Sequence, residues 1–300
     1  MGEGTDGIAR LLQRARAWRD ADADPTTRAQ LDERIRRVES GSGAEAEAAL
    51  RSCFDPPLSF GTAGLRGLAG PGPAHMNALL IQRVTAVIAD VLIAEVPDAV
   101  RRGVVIGYDA RHGSQALAEA AARTVAGAGI GVHTFDGYSP TPLAAFATLE
   151  LEAAAGLVLT ASHNPPEYLG YKVYWSNAAQ LVSPLDERIA RALAALPLDA
   201  RLPAATPEQP GDAPYWQVHG DALRRRYLKA IARPRRASAG PARLRIAYSA
   251  MHGVAVNCSR RPWPTREIFS CTRWPIRPSR MATFRRLISP TPRSRAPWTG

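Results

Sequence analysis

The sequence predicts an α/β protein whose first domain has three layers, α/β/α, around a mixed, largely parallel sheet. Short apolar runs alternate with longer segments of helical periodicity between residues 78 and 159. This repetition of strand, helix and strand is typical of parallel sheets with helices on both faces. A later helix and strand, after residue 213, predict a second α/β domain that is truncated.

Residues 1–53 are predicted to form a helical extension on the outside of the first domain. Apolar side chains recur in them at steps of three and four residues, for example at Leu31, Ile35 and Val38. Residues 54–67 follow with two prolines and three glycines. That composition excludes a long regular element, so an irregular connection is expected at the start of the first domain.

The first domain is assigned to residues 54–195, and its elements follow one another in alternation. The predicted helices cover 78–95, 117–128, 142–151 and 183–195. The predicted strands cover 104–108, 130–135, 156–159 and a run in which Tyr171, Val173 and Trp175 alternate with other residues. Residues 196–213, rich in proline and alanine, are expected to be a linker.

The C-terminal part divides into two segments. Residues 214–257 are assigned to the start of the second domain, with a helix over 215–232 and a strand over 244–248. Residues 258–300 hold ten arginines, seven prolines and one acidic residue, and show no periodicity. We therefore expect this tail to lack regular structure.

The charge of the chain is concentrated in that tail. Of the net charge of +11, residues 258–300 contribute +9, which leaves 28 basic and 26 acidic residues for 1–257. A basic excess confined to one segment gives no reason to expect a nucleic-acid partner for the body of the protein.

Further patterns indicate a cytoplasmic protein. The three cysteines show no metal-ligand spacing, which is typical of a reducing compartment. No apolar run approaches the ~20 residues of a membrane span, so no membrane partner is expected. The N-terminus lacks the basic-then-apolar order of a secretory signal.

Polar side chains follow the ends of two predicted strands. Asp109 and Arg111 come after strand 104–108, and Ser162 comes after strand 156–159. Sites in parallel sheets lie beyond the carboxyl ends of the strands, so these residues are expected on one rim. An ion pair between Asp109 and Arg111 that only holds the local turn explains them equally well.

Ser162, His163 and Asn164 stand at the tip of a polar turn closed by two prolines. A serine on a rigid turn behind a buried strand is a typical position for a nucleophile or group carrier. An ordinary hairpin would use the same side chains only for turn hydrogen bonds. Earlier in the chain, the turn that begins at Gly61 and Thr62 can present backbone N–H groups to an anion, and Arg66 can add a charged fork.

The segment T-A-S-H-N-P-P at 160–166, followed by Y-L-G-Y-K-V-Y at 168–174, resembles the phosphoserine loop of the α-D-phosphohexomutases, the phosphoglucomutase and phosphomannomutase family. The segments F-G-T-A-G-L-R-G at 60–67, G-Y-D-A-R-H-G-S at 107–114 and Y-S-P-T-P-L at 138–143 resemble other parts of that family's first domain. S-A-M-H-G-V at 249–254 resembles the start of its second domain, where His252 is expected to be structural. Leu169, Ser176 and Ala178 depart from the family pattern.

The resemblance implies a transfer of a phosphoryl group between the 1- and 6-oxygens of a hexose phosphate, with the phosphate carried on Ser162. It implies Mg²⁺ as cofactor, bound through that phosphate. The implied acid/base and charge-stabilising groups are His163, Lys172 and Arg66. The implied loop and phosphate contacts are Gly61, Thr62, Asn164, Asp109 and Arg111. The sugar and the oligomeric state stay open.

The resemblance ends near residue 255, before the family's metal-binding aspartates and its sugar-selecting and distal phosphate-binding loops. Reading the permitted codons of residues 277–300 one base earlier gives a string that contains F-P-N-P-E-E-P and resembles the family's second domain. We therefore expect a frameshift, by mutation or by sequencing error. The 300-residue chain is then expected to be an inactive fragment; the alternative is a non-catalytic fragment with a basic, nucleic-acid-binding tail.

Overall fold

The computed structural model describes residues 2–209, 211, 213–232, 245–248, 253–254 and 270–273. Its helices are α1 (Gly2–Ala21), α2 (Pro25–Glu39), α3 (Gly43–Arg51), α4 (Ala78–Glu95), α5 (Ala99–Arg102), α6 (Ser114–Gly127), α7 (Thr141–Glu150), α8 (Leu185–Ala195) and α9 (Asp221–Ala232). Its strands are β1 (Leu65–Leu68), β2 (Val104–Tyr108), β3 (Val132–Phe135), β4 (Ala155–Leu159), β5 (Tyr168–Trp175), β6 (Trp216–His219), β7 (Arg245–Tyr248) and β8 (Ser270–Arg273).

Six strands form the main sheet in the order β1-β5-β4-β2-β3-β6. Only β5 runs against the direction of the other five, since it pairs antiparallel with both β1 and β4. The pairs β4–β2, β2–β3 and β3–β6 are parallel. The predicted mixed, largely parallel sheet is therefore confirmed.

Helices cover both faces of this sheet, as the three-layer prediction requires. The side chains of Val104 and Ile106 join the main core under α4 and α6, whereas Val105 between them joins a second core under α7 and α9. In β4, Leu157 and Val158 divide between the two faces in the same way. Strands that are buried on both faces are continuously apolar, and this pattern made them predictable from the sequence.

The N-terminal extension is helical, as predicted, and it adds to the main core. Leu11, Trp18, Leu31 and Leu50 are buried there. Asp24 caps α2, because its side chain accepts a hydrogen bond from the backbone N–H of Thr26 at 2.8 Å. The extension thus contributes buried apolar surface to the domain that follows it.

The helix predicted over 215–232 is wrong at its start. Trp216–His219 forms β6, which pairs in parallel with β3, and α9 begins only at Asp221. The four residues are too few to show a period of two clearly, and they directly precede the helical pattern of α9. β6 extends the sheet of the first domain, although its residues were assigned to the second; the division into domains stays a prediction.

Two further segments form short strands. Leu65–Leu68 forms β1 at one edge of the sheet, and its four residues are consistent with the prediction that 54–67 hold no long regular element. Ser270–Arg273, in the tail expected to lack regular structure, forms β8 and pairs in parallel with β7. β7 itself matches the strand predicted over 244–248, and His252 lies outside the described residues.

Within the part of the chain that the structure describes, none of the helices has the length and apolar character needed to cross a membrane.

A buried histidine joins β6 to the rest of the sheet. Nδ1 of His133 on β3 lies 2.9 Å from Nε2 of His219 on β6, and its Nε2 lies 3.0 Å from the hydroxyl of Tyr215. Tyr215 donates its hydroxyl proton to the carbonyl of Arg101 at 2.9 Å. The aromatic ring fits because Gly131 has no side chain; a Cβ there would lie 2.5 Å from it.

Acid is expected to destabilise the protein through His133. Burial, and secondly the charge of His219, lower the pKa of His133 from 6.5 to about 4. The unfolded state therefore binds the proton more tightly than the folded state does. The contribution of neutral His133 to the free energy of unfolding is present above pH 6.5 and is lost as the pH falls towards 4. We expect a loss of about 2 kcal/mol between pH 7.5 and pH 5, measured by urea unfolding.

The matched variant for this experiment is His133→Gln, which removes the titrating group and keeps an amide that can hydrogen-bond. Its free energy of unfolding should depend less on pH over the same range. An unchanged pH dependence in this variant would show that His133 does not cause the acid sensitivity.

Candidate active site

The ends of β2 and β4 place two loops side by side on the carboxyl rim of the sheet. Tyr108 and Leu159 are partners in register at the last position of the two strands. The backbone N–H of Asp109 donates to the carbonyl of Leu159 at 3.1 Å, which continues the pairing by one step. The loop of Asp109 therefore begins beside the loop of Ser162, as the sequence predicts.

Ser162 is exposed and has a left-handed backbone, with φ of +56°. Residues with a side chain rarely adopt this conformation, so surrounding contacts must hold it. Its backbone N–H donates to Oγ1 of Thr160 at 3.0 Å. Its carbonyl accepts from Nη2 of Arg111 at 2.7 Å. Both peptide groups of the residue are thus fixed by neighbouring side chains.

Arg111 binds the backbone of the serine loop, residues 162–168, and its side chain is only 6% exposed. Nη2 donates to the carbonyls of Ser162 and Asn164, at 2.7 and 2.6 Å. Nη1 donates to the carbonyls of Pro165 and Tyr168, at 2.7 and 3.1 Å. One guanidinium group therefore determines the path of the loop from 162 to 168.

Asp109 holds this arginine and the base of the loop together. Its Oδ2 lies 3.3 Å from Nε of Arg111 and accepts the hydroxyl proton of Thr160 at 2.6 Å. Its Oδ1 accepts from the backbone N–H of Arg111 at 3.1 Å and from Oγ of Ser114 at 2.7 Å. The local ion pair is present, and the same two side chains also bind the serine loop, so the pair does more than hold its own turn.

Arg66 and Lys172 lie near the loop on β1 and β5, the two strands that pair antiparallel. Arg66 on β1 pairs with Gly170 on β5, and its Nη1 donates to Oδ1 of Asn164 at 3.0 Å. Lys172 lies two residues further along β5 and is half-buried. Burial, and then the charge of Arg66, lower the pKa of Lys172, an effect that Asp109 partly offsets.

His163 lies exposed beside Ser162. Hydrogen bonds link Arg66, Asp109, Arg111, Ser162 and Asn164 into one cluster. Thr160 and Ser114 also belong to it and were missed, because a hydroxyl residue at a strand end or a helix start is too common to be a signal.

The glycine turn before β1 differs in part from expectation. The N–H of Gly64 donates to the carbonyl of Gly61 at 2.7 Å, and the N–H of Gly61 donates back at 3.2 Å. These two N–H groups are occupied within the turn, which removes two of the donors predicted for an anion. Thr62 lies exposed between them.

Gly64→Ala is expected to displace this turn and to destabilise the protein by about 2–4 kcal/mol. Gly64 has φ of +81°, and a Cβ there would lie 1.8 Å from the carbonyl oxygen of Tyr171, in backbone that cannot move aside easily. Gly61→Ala is the matched control, because a Cβ at Gly61 meets nothing within 4 Å. Thermal unfolding of both variants checks this; equal stability would contradict it.

The described residues do not form a metal site by themselves. Among the side chains that the structure describes there is no group of three or more His, Cys, Asp or Glu residues able to hold an ion. The one carboxylate in the cluster, Asp109, already accepts hydrogen bonds on both oxygens. These residues therefore do not fit Mg²⁺ without another ligand.

Residues 57–198 match the family model described as phosphoglucomutase/phosphomannomutase, alpha/beta/alpha domain I. A probable phosphoribomutase of Schizosaccharomyces pombe is 40% identical over 173 residues, which is 58% of this chain and 28% of that protein. The human phosphopentomutase is 38% identical over 198 residues, 64% of this chain and 31% of that protein. The chain thus spans less than a third of the length of these relatives.

A crystal structure of a phosphoglucomutase/phosphomannomutase family protein from Burkholderia thailandensis superimposes with a TM-score of 0.50 at 21% identity. The match covers 74% of this chain and 44% of that one, and it supports the fold. Together with the serine loop, the domain match and the sequence relationships lead to one conclusion: residues 57–198 of this chain are related in sequence to domain I of the α-D-phosphohexomutases, the phosphoglucomutase and phosphomannomutase family.

Proposed function

We propose that Ser162 is the phosphoryl carrier of a sugar-phosphate mutase. The observation that carries the proposal is the exposed serine whose left-handed backbone is bound on both sides by buried groups, Thr160 and Arg111. Such a fixed position suits phosphoryl transfer, which depends mostly on alignment and charge neutralisation. The relatives named phosphoribomutase and phosphopentomutase support a sugar phosphate as the substrate.

The proposed reaction has two half-reactions. In the first, a hydroxyl oxygen of the bound sugar phosphate attacks the phosphorus on Ser162, a new O–P bond forms, and the bond between phosphorus and Oγ breaks. The hydroxyl proton passes to a nearby basic group, and Oγ of Ser162 ends protonated. In the second, Oγ gives its proton to a nearby basic group and attacks the phosphorus at the other end of the sugar. The new bond between Oγ and phosphorus forms as the bond between phosphorus and the sugar oxygen breaks, and that oxygen leaves protonated as a hydroxyl, which restores the phosphoserine.

The basic side chains around the loop fit these steps. Lys172 has a lowered pKa, so its neutral amine is more accessible as a proton acceptor than that of an exposed lysine. Arg66 keeps its charge and supplies it at the loop, where it binds Asn164. His163 is a second candidate for proton transfer, because it is exposed beside Ser162.

Mg²⁺ is part of this proposal through the family resemblance. When bound, the cation neutralises charge on the transferred phosphoryl group. A phosphate on Ser162 is the ligand that this part of the chain would supply to the cation. The described carboxylates do not form a group that could bind the cation together with it. No step of the two half-reactions above is assigned to the cation.

The test measures phosphate on Ser162 and turnover separately. The purified chain is incubated with Mg²⁺ and glucose 1,6-bisphosphate, and intact mass spectrometry with peptide mapping locates any phosphate. We expect one phosphate in the wild type and none in Ser162→Ala. Ser183→Ala is the control, since Ser183 is exposed at the start of α8 and bonds only locally, to Glu187. Phosphate on another residue, or none, would overturn the proposal.

Turnover is followed with glucose 1-phosphate and ribose 1-phosphate in parallel, because the matching family model is named for glucose and mannose, whereas the named relatives are a phosphoribomutase and a phosphopentomutase. Clear formation of the sugar 6- or 5-phosphate, abolished by Ser162→Ala, would show that the 300-residue chain is itself an enzyme. Phosphorylation of Ser162 without turnover is the result expected if the chain is an inactive fragment.

A further inference from the structure

We propose that Thr160 is a positioning residue, whose hydroxyl transmits the orientation of Asp109 to the backbone of Ser162 and so aligns the phosphoryl carrier. This inference rests on the proposed role of Ser162 and assigns a function to a residue that has no part in the two half-reactions above. Four steps, each from a hydrogen bond or a close approach, lead to it.

First, the backbone of Thr160 packs closely against β5. It lies one residue beyond β4, is 5% exposed, and donates its N–H to the carbonyl of Gly170 at 3.0 Å. The approach is so close that a Cβ on Gly170 would lie 2.5 Å from the carbonyl oxygen of Thr160. β5 therefore holds Thr160 against the sheet, and its side chain has a fixed origin.

Second, the direction of the hydrogen bonds is determined. A carboxylate only accepts, so the hydroxyl proton of Thr160 points at Oδ2 of Asp109, 2.6 Å away. The lone pairs of Oγ1 then face the N–H of Ser162 at 3.0 Å. Because the donor is beside a negative charge, the hydroxyl oxygen is a better acceptor for Ser162 than an isolated hydroxyl is.

Third, the carbonyl group of Ser162 is connected to the same carboxylate, that of Asp109, through Arg111. Arg111 donates Nη2 to that carbonyl at 2.7 Å, and its Nε lies 3.3 Å from Oδ2 of Asp109. The two peptide groups on either side of the Ser162 Cα are thus both tied to one oxygen atom. This arrangement over-determines φ and ψ of a residue whose backbone conformation is otherwise unfavourable.

Fourth, of the two side chains that bind the backbone of Ser162, Thr160 makes fewer contacts with the rest of the loop than Arg111 does. Arg111 binds four carbonyls along the loop, so its loss would change the whole segment. Thr160 binds only the N–H of Ser162 and the carboxylate through its hydroxyl. Removing that oxygen alone should leave the loop folded and free the Ser162 peptide to rotate.

The experiment compares Thr160→Val, which has nearly the same shape without the hydroxyl, with Thr160→Ser, which keeps the hydroxyl. Thr124→Val is the matched control, because Thr124 is also buried and its one described hydroxyl bond goes to the carbonyl of Ala120 within α6. Each protein is examined by NMR for the backbone chemical shifts and amide exchange of Ser162, and by the rate of phosphate transfer to Ser162 from glucose 1,6-bisphosphate.

We expect Thr160→Val to lose the shifts that report the left-handed backbone, to exchange the Ser162 amide faster, and to transfer phosphate about 100-fold more slowly. The concentration of bisphosphate that gives half the maximal rate should not change, because Thr160 is buried and its hydroxyl is bonded to Asp109 and to the N–H of Ser162. Thr160→Ser should restore both the backbone and the rate. Thr124→Val should change stability only.

The two arms separate failure of this inference from failure of the proposed function. Unchanged shifts and exchange of Ser162 in Thr160→Val would overturn the inference, whatever the chain's activity. Altered shifts with a wild-type transfer rate would overturn the link to phosphoryl transfer. If the wild type itself takes up no phosphate, the carrier role fails, whereas the NMR arm still decides whether Thr160 sets the backbone of Ser162.

Discussion

Replacing Arg111 by lysine is expected to lower the free energy of unfolding by about 3–5 kcal/mol, although the positive charge is kept. The guanidinium group binds four loop carbonyls and Asp109 at once. An ammonium group has three donors at one point and cannot reach all these acceptors. The bonds to the carbonyls of Asn164 and Tyr168 are partly buried, so leaving those carbonyls unpaired costs free energy.

The measurement is urea unfolding at pH 7.5, with Arg191→Lys as control. Arg191 is 69% exposed and its only described ion pair is with Glu187 one turn away, at 3.7 Å. Its replacement should stay within about 0.5 kcal/mol of the wild type. If Arg111→Lys is as stable as this control, the guanidinium group does not hold the loop. We also expect Arg111→Lys to take up phosphate on Ser162 more slowly, because the loop is no longer fixed.

The central strands were predictable because burial on both faces makes them continuously apolar. β2 and β4 have this character, and the polar residues that follow them mark the rim of the sheet. The edge strands β1 and β6 were missed, since each has only four residues and alternates between buried and exposed positions or is largely exposed. Tertiary pairing, which a single sequence does not display, makes them strands.

The site was predictable only as far as it depends on side-chain type. Ser162 and Arg111 stand in recognisable segments after strand ends, and Arg66 stands in a recognisable glycine-rich segment. The acceptors of Arg111, however, are backbone carbonyls more than 50 residues away in the sequence, and any residue type supplies such a group. The role of Thr160 is equally invisible, because it arises from the distance between two loops that only folding brings together.

The glycine turn shows what composition alone cannot distinguish. Gly61 and Gly64 suggested an anion cradle because glycine allows close backbone approach. In the fold, Gly64 serves another purpose: it lets the turn lie directly on the backbone of Tyr171, and the two glycines bond to each other. The glycines correctly indicated that the backbone of the turn lies close to another group. That group is the backbone of β5 at Tyr171 and not an anion.

Asp109→Asn is expected to destabilise the protein by about 3 kcal/mol or more, as for one partner of a buried ion pair. Both oxygens of the carboxylate accept hydrogen bonds from Thr160, Ser114 and Arg111. An asparagine keeps one oxygen and turns an NH₂ group towards a donor, so at least one bond becomes a repulsion. Asp98→Asn is the control, since Asp98 is exposed and pairs with Arg101 within one helical turn.

A double-mutant cycle between Asp109→Asn and Arg111→Lys decides whether the two residues act as one unit. Because each single variant already breaks the same buried pair, the double variant should lose less than the sum of the two. We expect a coupling free energy of about 1–3 kcal/mol from urea unfolding of all four proteins. Additive losses would mean that Asp109 supports the loop through Thr160 and Ser114 alone. In that case Thr160→Val should couple to Asp109→Asn instead, and the hydroxyl, not the arginine, would carry the orientation of the carboxylate to Ser162.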